Sequence, residues 1–134
     1  MADLSNTFET RVYDWLFRPG QSVTRPTAIY LALFTSVTDA EAGTGTEVSG
    51  GSYARPDISS LIGASTNGTG SNSSAITFAT PTADWGTITH FGIFDAPNGG
   101  NPITALKALA TPRVISNGDV APSFAAGELV VTVA

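Results

Sequence analysis

Two periodicities divide the chain. Between about residues 5 and 17, Phe8, Val12, Trp15 and Leu16 recur at i, i+4, i+7 and i+8, the spacing of one helical face. Asn6 with Glu9 approximates a capping box at the start, and Pro19-Gly20 marks the end. Glu9, Arg11 and Asp14 hold the polar face, while Tyr13 and Phe17 broaden the apolar side beyond what a lone surface helix needs. Such a helix either caps the core of its own domain or docks on a neighbouring subunit.

Beyond Pro26 the pattern shortens to that of strands. Ala28 to Phe34 is apolar on both faces and fits a central strand. Ser36 to Gly45 reads as an acidic loop, Ile58 to Ile62 as a short strand, and Gly63 to Ser74 as a mobile or outward-facing loop of Gly, Ser, Thr, Asn and Ala. Ile76 and Phe78 share one face of a further strand. In Trp85 to Phe94, alternation places Ile88, His90 and Phe94 on one side and Phe91 and Ile93 on the other. Pro102 to Ala110 alternates weakly, with a short helix open for Ala105 to Ala110, and Asn117-Gly118 signals a hairpin. Leu129, Val131 and Val133 form a last strand. One helix and seven or eight short strands, with turn signals about every ten residues, predict a mainly β chain: a β-sandwich or jelly roll with one N-terminal α-helix.

Between the central strand and the later ones lies Thr46 to Pro56, a polar segment hinged at Gly50-Gly51. Tyr53 offers an aromatic body with a polar tip, and Arg55 a five-donor fork held extended by Pro56. The segment is suited to pinning the chain to something, and the glycine pair would allow an extended arm.

At 134 residues the chain makes one domain by size, with residues 1–20 a helical extension and 26–134 the β-sandwich. Six basic against eleven acidic residues give a net charge of −5, which repels a phosphate backbone and argues against direct nucleic-acid binding. With no cysteine, stability has to come from packing or association, so the chain is a candidate oligomer. Met1-Ala2-Asp3-Leu4 does not open a secretory signal, and no segment approaches a membrane span, so a soluble protein made in the cytoplasm is expected. The sequons at Asn67 and Asn72 then read as loop composition.

Catalytic motifs are missing from the sequence. There is no Walker loop, dinucleotide fingerprint, nucleophile elbow or HExxH pattern. His90 is the only histidine and reads as a packed or hydrogen-bonded strand residue. Asp39 with Glu41 lacks a third spaced oxygen ligand, and Asp95 to Asn101 has the composition of a turn and not the spacing of a calcium loop. No enzyme activity, cofactor or metal is expected. For a glycan-binding sandwich, Trp85 beside Asp84 is the one stacking candidate.

Four ordered motifs carry a resemblance: Leu31 to Ser36, Gly45 to Arg55, Ala83 to Asp95, and Phe124-Ala125-Ala126-Gly127. Together they resemble a family of small structural virion proteins of tailed bacteriophages, whose members are often labelled tail fibre proteins. Proteins of this length and type also resemble capsid cement, or decoration, proteins. That resemblance implies a dimer or trimer on the outer surface of the capsid, bridging major capsid proteins and stabilising the head. A tail fibre or baseplate-associated role is the alternative. The absence of heptads, collagen-like repeats or an internal period favours the head. Trp15, Phe17 and Arg18 at the helix end, and Tyr53, Arg55 and Pro56 after the hinge, are the expected interface residues, because Trp, Tyr and Arg are enriched where interfaces concentrate their energy.

Overall fold

The computed structural model describes residues 3–133. Met1, Ala2 and Ala134 lie outside the described residues, and with them the part of the N-terminal reading that rests on Met1-Ala2. The chain runs through one helix, α1 (Asn6–Phe17), and eight strands: β1 (Tyr30–Asp39), β2 (Thr44–Glu47), β3 (Thr69–Ser71), β4 (Ile76–Thr77), β5 (Gly86–Phe94), β6 (Lys107–Ile115), β7 (Ser123–Phe124) and β8 (Val130–Thr132). All pairings between these strands are antiparallel. A four-stranded sheet has the order β2-β1-β5-β6, and two smaller pairs, β3-β8 and β4-β7, complete the β-rich body.

β1 is central, and its double-sided apolar character has a direct reason. Leu31 and Leu33, opposite Ile93 and Phe91, face the main core with Val48, Ile58, Ile76, Phe78, Trp85, Ile88, Ile115 and Leu129. Ala32 and Phe34 face the other way, into a smaller cluster with Phe94 and Leu106. The main core joins the large sheet to the small pairs, as in a β-sandwich. Val37 and Ala40, from the end of β1 and the turn after it, pack on the second cluster.

Several expectations shift. The acidic loop predicted from Ser36 is the rest of β1, which runs to Asp39 and turns back at Thr44 as β2. Ile58 to Ile62 is not a strand; only isolated bridges form there, Asp57 just before it with Tyr30 and Ile62 at its end with Asn72. In β5 the alternation breaks at Thr89, where the register against β6 shifts. Ile88 therefore joins Phe91 and Ile93 at the main core instead of sharing a face with Phe94. Ala105 to Ala110 contains no helix, since β6 begins at Lys107. Asn117-Gly118 does turn the chain, with Asp119 N–H donating to Ser116 O at 3.1 Å, but β7 pairs with β4 and no hairpin forms with β6.

The Gly63 to Ser74 tract is tied down in its second half. Asn72 is buried, and its side-chain amide donates to Ser74 O and Ala125 O at 2.9 Å. Its carbonyl accepts from Gly127 N at 3.1 Å and Leu129 N at 2.9 Å. A primary amide that makes bonds in both directions satisfies backbone groups that burial would otherwise leave unmet.

Candidate functional site

The helix begins one residue earlier than its sequence signal. Ser5, not Asn6, is the N-cap: its Oγ accepts from Phe8 N at 3.3 Å and donates to Pro102 O. Ser5 N–H donates to Ile103 O at 2.9 Å, and Asn6 N–H to Glu41 O at 3.2 Å, so the root of α1 is fixed to the body. Phe8 is the one buried side chain of the helix, and the Arg11 guanidinium lies 4.5 Å over its ring. Beyond that root the helix leaves the body: no helix Cα comes within 8 Å of a strand Cα.

The distal half is therefore open. Tyr13 is 59% exposed, Trp15 70%, Leu16 56% and Phe17 67%. At about 100° per residue these positions spread over roughly 200° of the helix surface. An apolar arc that wide, on a helix whose other side carries Arg11 and Asp14, is more than a lone surface helix needs. Between α1 and the segment Val23 to Pro26 lies a cavity of about 290 Å³, lined by Phe8, Val12 and Trp15 with Arg11 and Arg25 at its margin. Arg18 is exposed and paired with Asp14 at 3.2 Å, an arrangement worth roughly 0.3–0.5 kcal/mol on a helix surface.

The second group of expected interface residues is turned inward. Arg55 is 8% exposed. Its Nε donates to Glu47 Oε2 at 2.8 Å and its Nη2 to Glu47 Oε1 at 2.7 Å, a two-bond fork on one carboxylate. Nη1 donates to Ala96 O at 2.8 Å and Gly99 O at 2.9 Å, and the guanidinium stacks 4.3 Å over Phe94. Tyr53 Oη donates to Glu47 Oε2 at 2.7 Å and accepts from Leu33 N at 3.0 Å. The knot thus ties β1, β2 and the Asp95 to Asn101 turn together. Pro56 is half-buried beside it, and its carbonyl accepts from Leu31 N. Burial, and then the hydrogen bond to Glu47, push the Tyr53 phenol well above its ordinary value. For Arg55, burial alone would lower the pKa, but the Glu47 bond and charge outweigh it and the net direction is up.

The hinge is closed on its own chain. Gly50, Gly51 and Ser52 all have positive φ, which lets Gly51 O accept from Trp85 Nε1 at 2.9 Å and from Thr82 N at 3.1 Å. Trp85 is 4% exposed, so it is not a surface on which a sugar could stack beside Asp84. Asp84 instead accepts from Asn117 N at 2.8 Å.

The remaining candidates are engaged in turns or beside their own strand neighbours. His90 Nδ1 lies 2.8 Å from Thr89 Oγ1. Asp39 accepts from Glu41 N and Ala42 N, and Asp95 from Asn101 N and Nδ2. Among the described residues no three His, Asp or Glu side chains group so as to hold a metal ion, and no helix is long and apolar enough to cross a membrane. Two acids give no signal of their role in the sequence, Glu47 and Asp3, and Asn72 shows there only as part of a sequon. Asp3 is buried, and its carboxylate accepts from Lys107 Nζ at 3.1 Å and Thr132 N at 2.8 Å. A lone acid in an apolar or Gly-Ser stretch gives no sign of such a partner.

The protein is thus an antiparallel β-body with a rooted helix whose far half is aromatic and exposed. A family model described as Podophage GP4 fiber I protein gp80 matches residues 3–132. The chain belongs to this family of bacteriophage structural proteins. No curated protein matches it.

Proposed function

We propose that this protein is a non-enzymatic, fibre-type component of a phage virion, which associates with copies of itself and is held in the particle by the distal half of α1. The observation that carries the reading is the exposure of Tyr13, Trp15, Leu16 and Phe17 on a helix that no strand covers. Enclosing Leu16 and Phe17, each already partly covered, adds roughly 1–2 kcal/mol apiece, and repeated copies multiply a modest contact into a firm one. The family description supports the fibre assignment over the head. Of the residues expected at the interface, Trp15, Phe17 and Arg18 carry this role, while Tyr53, Arg55 and Pro56 serve the fold of each copy.

A capsid cement role, with the major capsid protein as partner on the outer face of the head, is the second reading. One observation favours it: the described residues form one β-body with a short projecting helix and no shaft. Both readings need the same anchor and differ in the part of the particle it meets.

Co-sedimentation of the purified protein with separated tails, and with empty expanded heads of the same phage, tests the assignment. Saturable binding to tails, lost in a Trp15→Ser/Phe17→Ser variant, is the expected result. Binding to heads alone replaces the fibre reading with the cement one, and binding to neither overturns both.

A further inference from the structure

Part-way along, β6 leaves its neighbour. Ile88 of β5 pairs with Arg113 and His90 with Ala108, so Leu109, Ala110, Thr111 and Pro112 stand opposite the single residue Thr89. Surplus residues on one strand bend it and re-aim its side chains. Here the bend coincides with an opening between β6 and the β7–β8 side of the body. Two cavities meet there, of about 400 and 430 Å³, and both are bounded by Leu109, Ala110, Phe124 and Glu128. Each falls within the range of small-molecule sites, roughly 300–1,000 Å³.

The opening has an apolar floor and a polar margin. Phe91 and Phe124 meet edge to face, with ring centroids 5.4 Å apart, and Leu33 and Ile88 lie deeper. At the margin stand Thr111, Arg113, Ser123 and Glu128. Among the described residues the exposed Arg113 guanidinium and the Thr111 and Ser123 hydroxyls make no hydrogen bond or ion pair, so their donors and acceptors face solvent at the mouth of the opening. Glu128 uses Oε2 to accept from Ala125 N at 2.9 Å, which leaves Oε1 available.

We infer that this cleft binds a pyranose ring. A sugar ring presents an apolar C–H face to a floor such as Phe91 and Phe124, and a girdle of hydroxyls that both donate and accept. The margin matches that girdle: a donor-only guanidinium, an acceptor-only carboxylate oxygen and two hydroxyls able to do either. Two other occupants fit less well. An added β-strand meets Pro112, which has no N–H to offer at the edge. A phosphate-rich ligand meets a chain of net charge −5. The inference stands on the body alone and does not depend on where in the virion the protein sits.

The test is amide chemical-shift mapping on the full chain, titrated with the methyl α-glycosides of glucose, galactose, mannose and N-acetylglucosamine to about 50 mM, well above a millimolar Kd. Glycerol serves as the control for hydroxyl groups without a ring. At least one glycoside is expected to shift amides within residues 107–115 and 122–130, and glycerol none. Arg113→Ala and Glu128→Gln, both at exposed positions, keep the native spectrum elsewhere and weaken the affinity about tenfold each, the loss of one hydrogen bond to a charged group. Absence of shifts with all four glycosides, shifts confined to other parts of the chain, or unaltered affinity in both variants overturns the inference. If these glycosides bind and the protein fails to sediment with tails or heads, the site survives and the virion assignment does not.

Discussion

Trp15, Phe17 and Arg18 at the end of α1 are the residue types that also build the interior around Trp85, Phe94, Tyr53 and Arg55. In the body each of these rings meets another ring or a cation: Tyr53 lies edge-on to Trp85 at 5.3 Å, and Arg55 covers Phe94. Among the described residues each buried side-chain polar atom also has a partner. On the helix Tyr13 and Phe17 touch one another, at 5.1 Å, and Arg18 holds Asp14 one turn back. Sequence enrichment in Trp, Tyr and Arg therefore marks places where energy is concentrated, but not on which side of the molecular surface. What separates the two regions is Glu47, a single carboxylate that collects three donors and turns the arginine inward.

Removing that carboxylate is the sharpest way to break the contrast. Glu47→Ala leaves a buried guanidinium without its counter-charge, and a loss of about 3–5 kcal/mol is expected in urea denaturation. Gly51→Ala comes next. It forces a positive φ on alanine and brings a Cβ within 2.9 Å of Trp85 Nε1 and 3.0 Å of Ala83 N, so a loss of about 1–3 kcal/mol should appear in the same measurement. Tyr53→Phe, which unpairs Leu33 N–H, should cost about 1–2 kcal/mol at neutral pH.

The same tyrosine gives the knot its pH dependence. Its pKa is raised in the folded state, so its contribution is complete below the ordinary value of 10.0 and is lost as pH rises beyond it. Stability measured from about pH 8 to about pH 11.5 should fall at the alkaline end in the native protein and less steeply in Tyr53→Phe. The smallest stability effect belongs to the helix. Trp15→Ser/Phe17→Ser should change unfolding by no more than about 0.5 kcal/mol, as for surface positions, while abolishing self-association in sedimentation. A large loss of stability in that variant would mean that the helix end is part of the fold after all.

Much of the architecture is legible in the sequence because periodicity reports burial. β1 shows itself through apolar residues on both faces, since a cluster lies on either side of it. The spacing of α1 shows a helix, though only Phe8 of its apolar positions is buried. Turns are less informative. Asn67-Gly68 closes a two-residue hairpin, with Thr66 and Thr69 exchanging both backbone bonds at 2.8 and 3.1 Å, yet the polar tract around it hides the signal. Asn117-Gly118 has the same dipeptide and only redirects the chain, because β7 finds its partner in β4. Local chemistry sets the bend, and the distant strand decides what it joins. The open end of α1 is visible as excess aromatic surface. The knot, by contrast, reaches from Arg55 to Ala96 and Gly99, and the β6 cleft from Phe91 to Phe124, separations that no local pattern records.

The rooting of α1 has a mechanical side. Asp3 N–H donates to Thr132 O at 2.8 Å while its own carbonyl accepts from Ala105 N at 2.8 Å, and two residues later Ser5 holds Pro102 and Ile103. Tension reaching the root of the helix is thus divided at once between the chain leading into β6 and the strand β8, which belong to different sheets, while the other end of the helix passes load along the backbone into β1. Neither sheet has to be peeled from its end before the other begins to bear load, so a tug on the tip is met by several bonds stretched together.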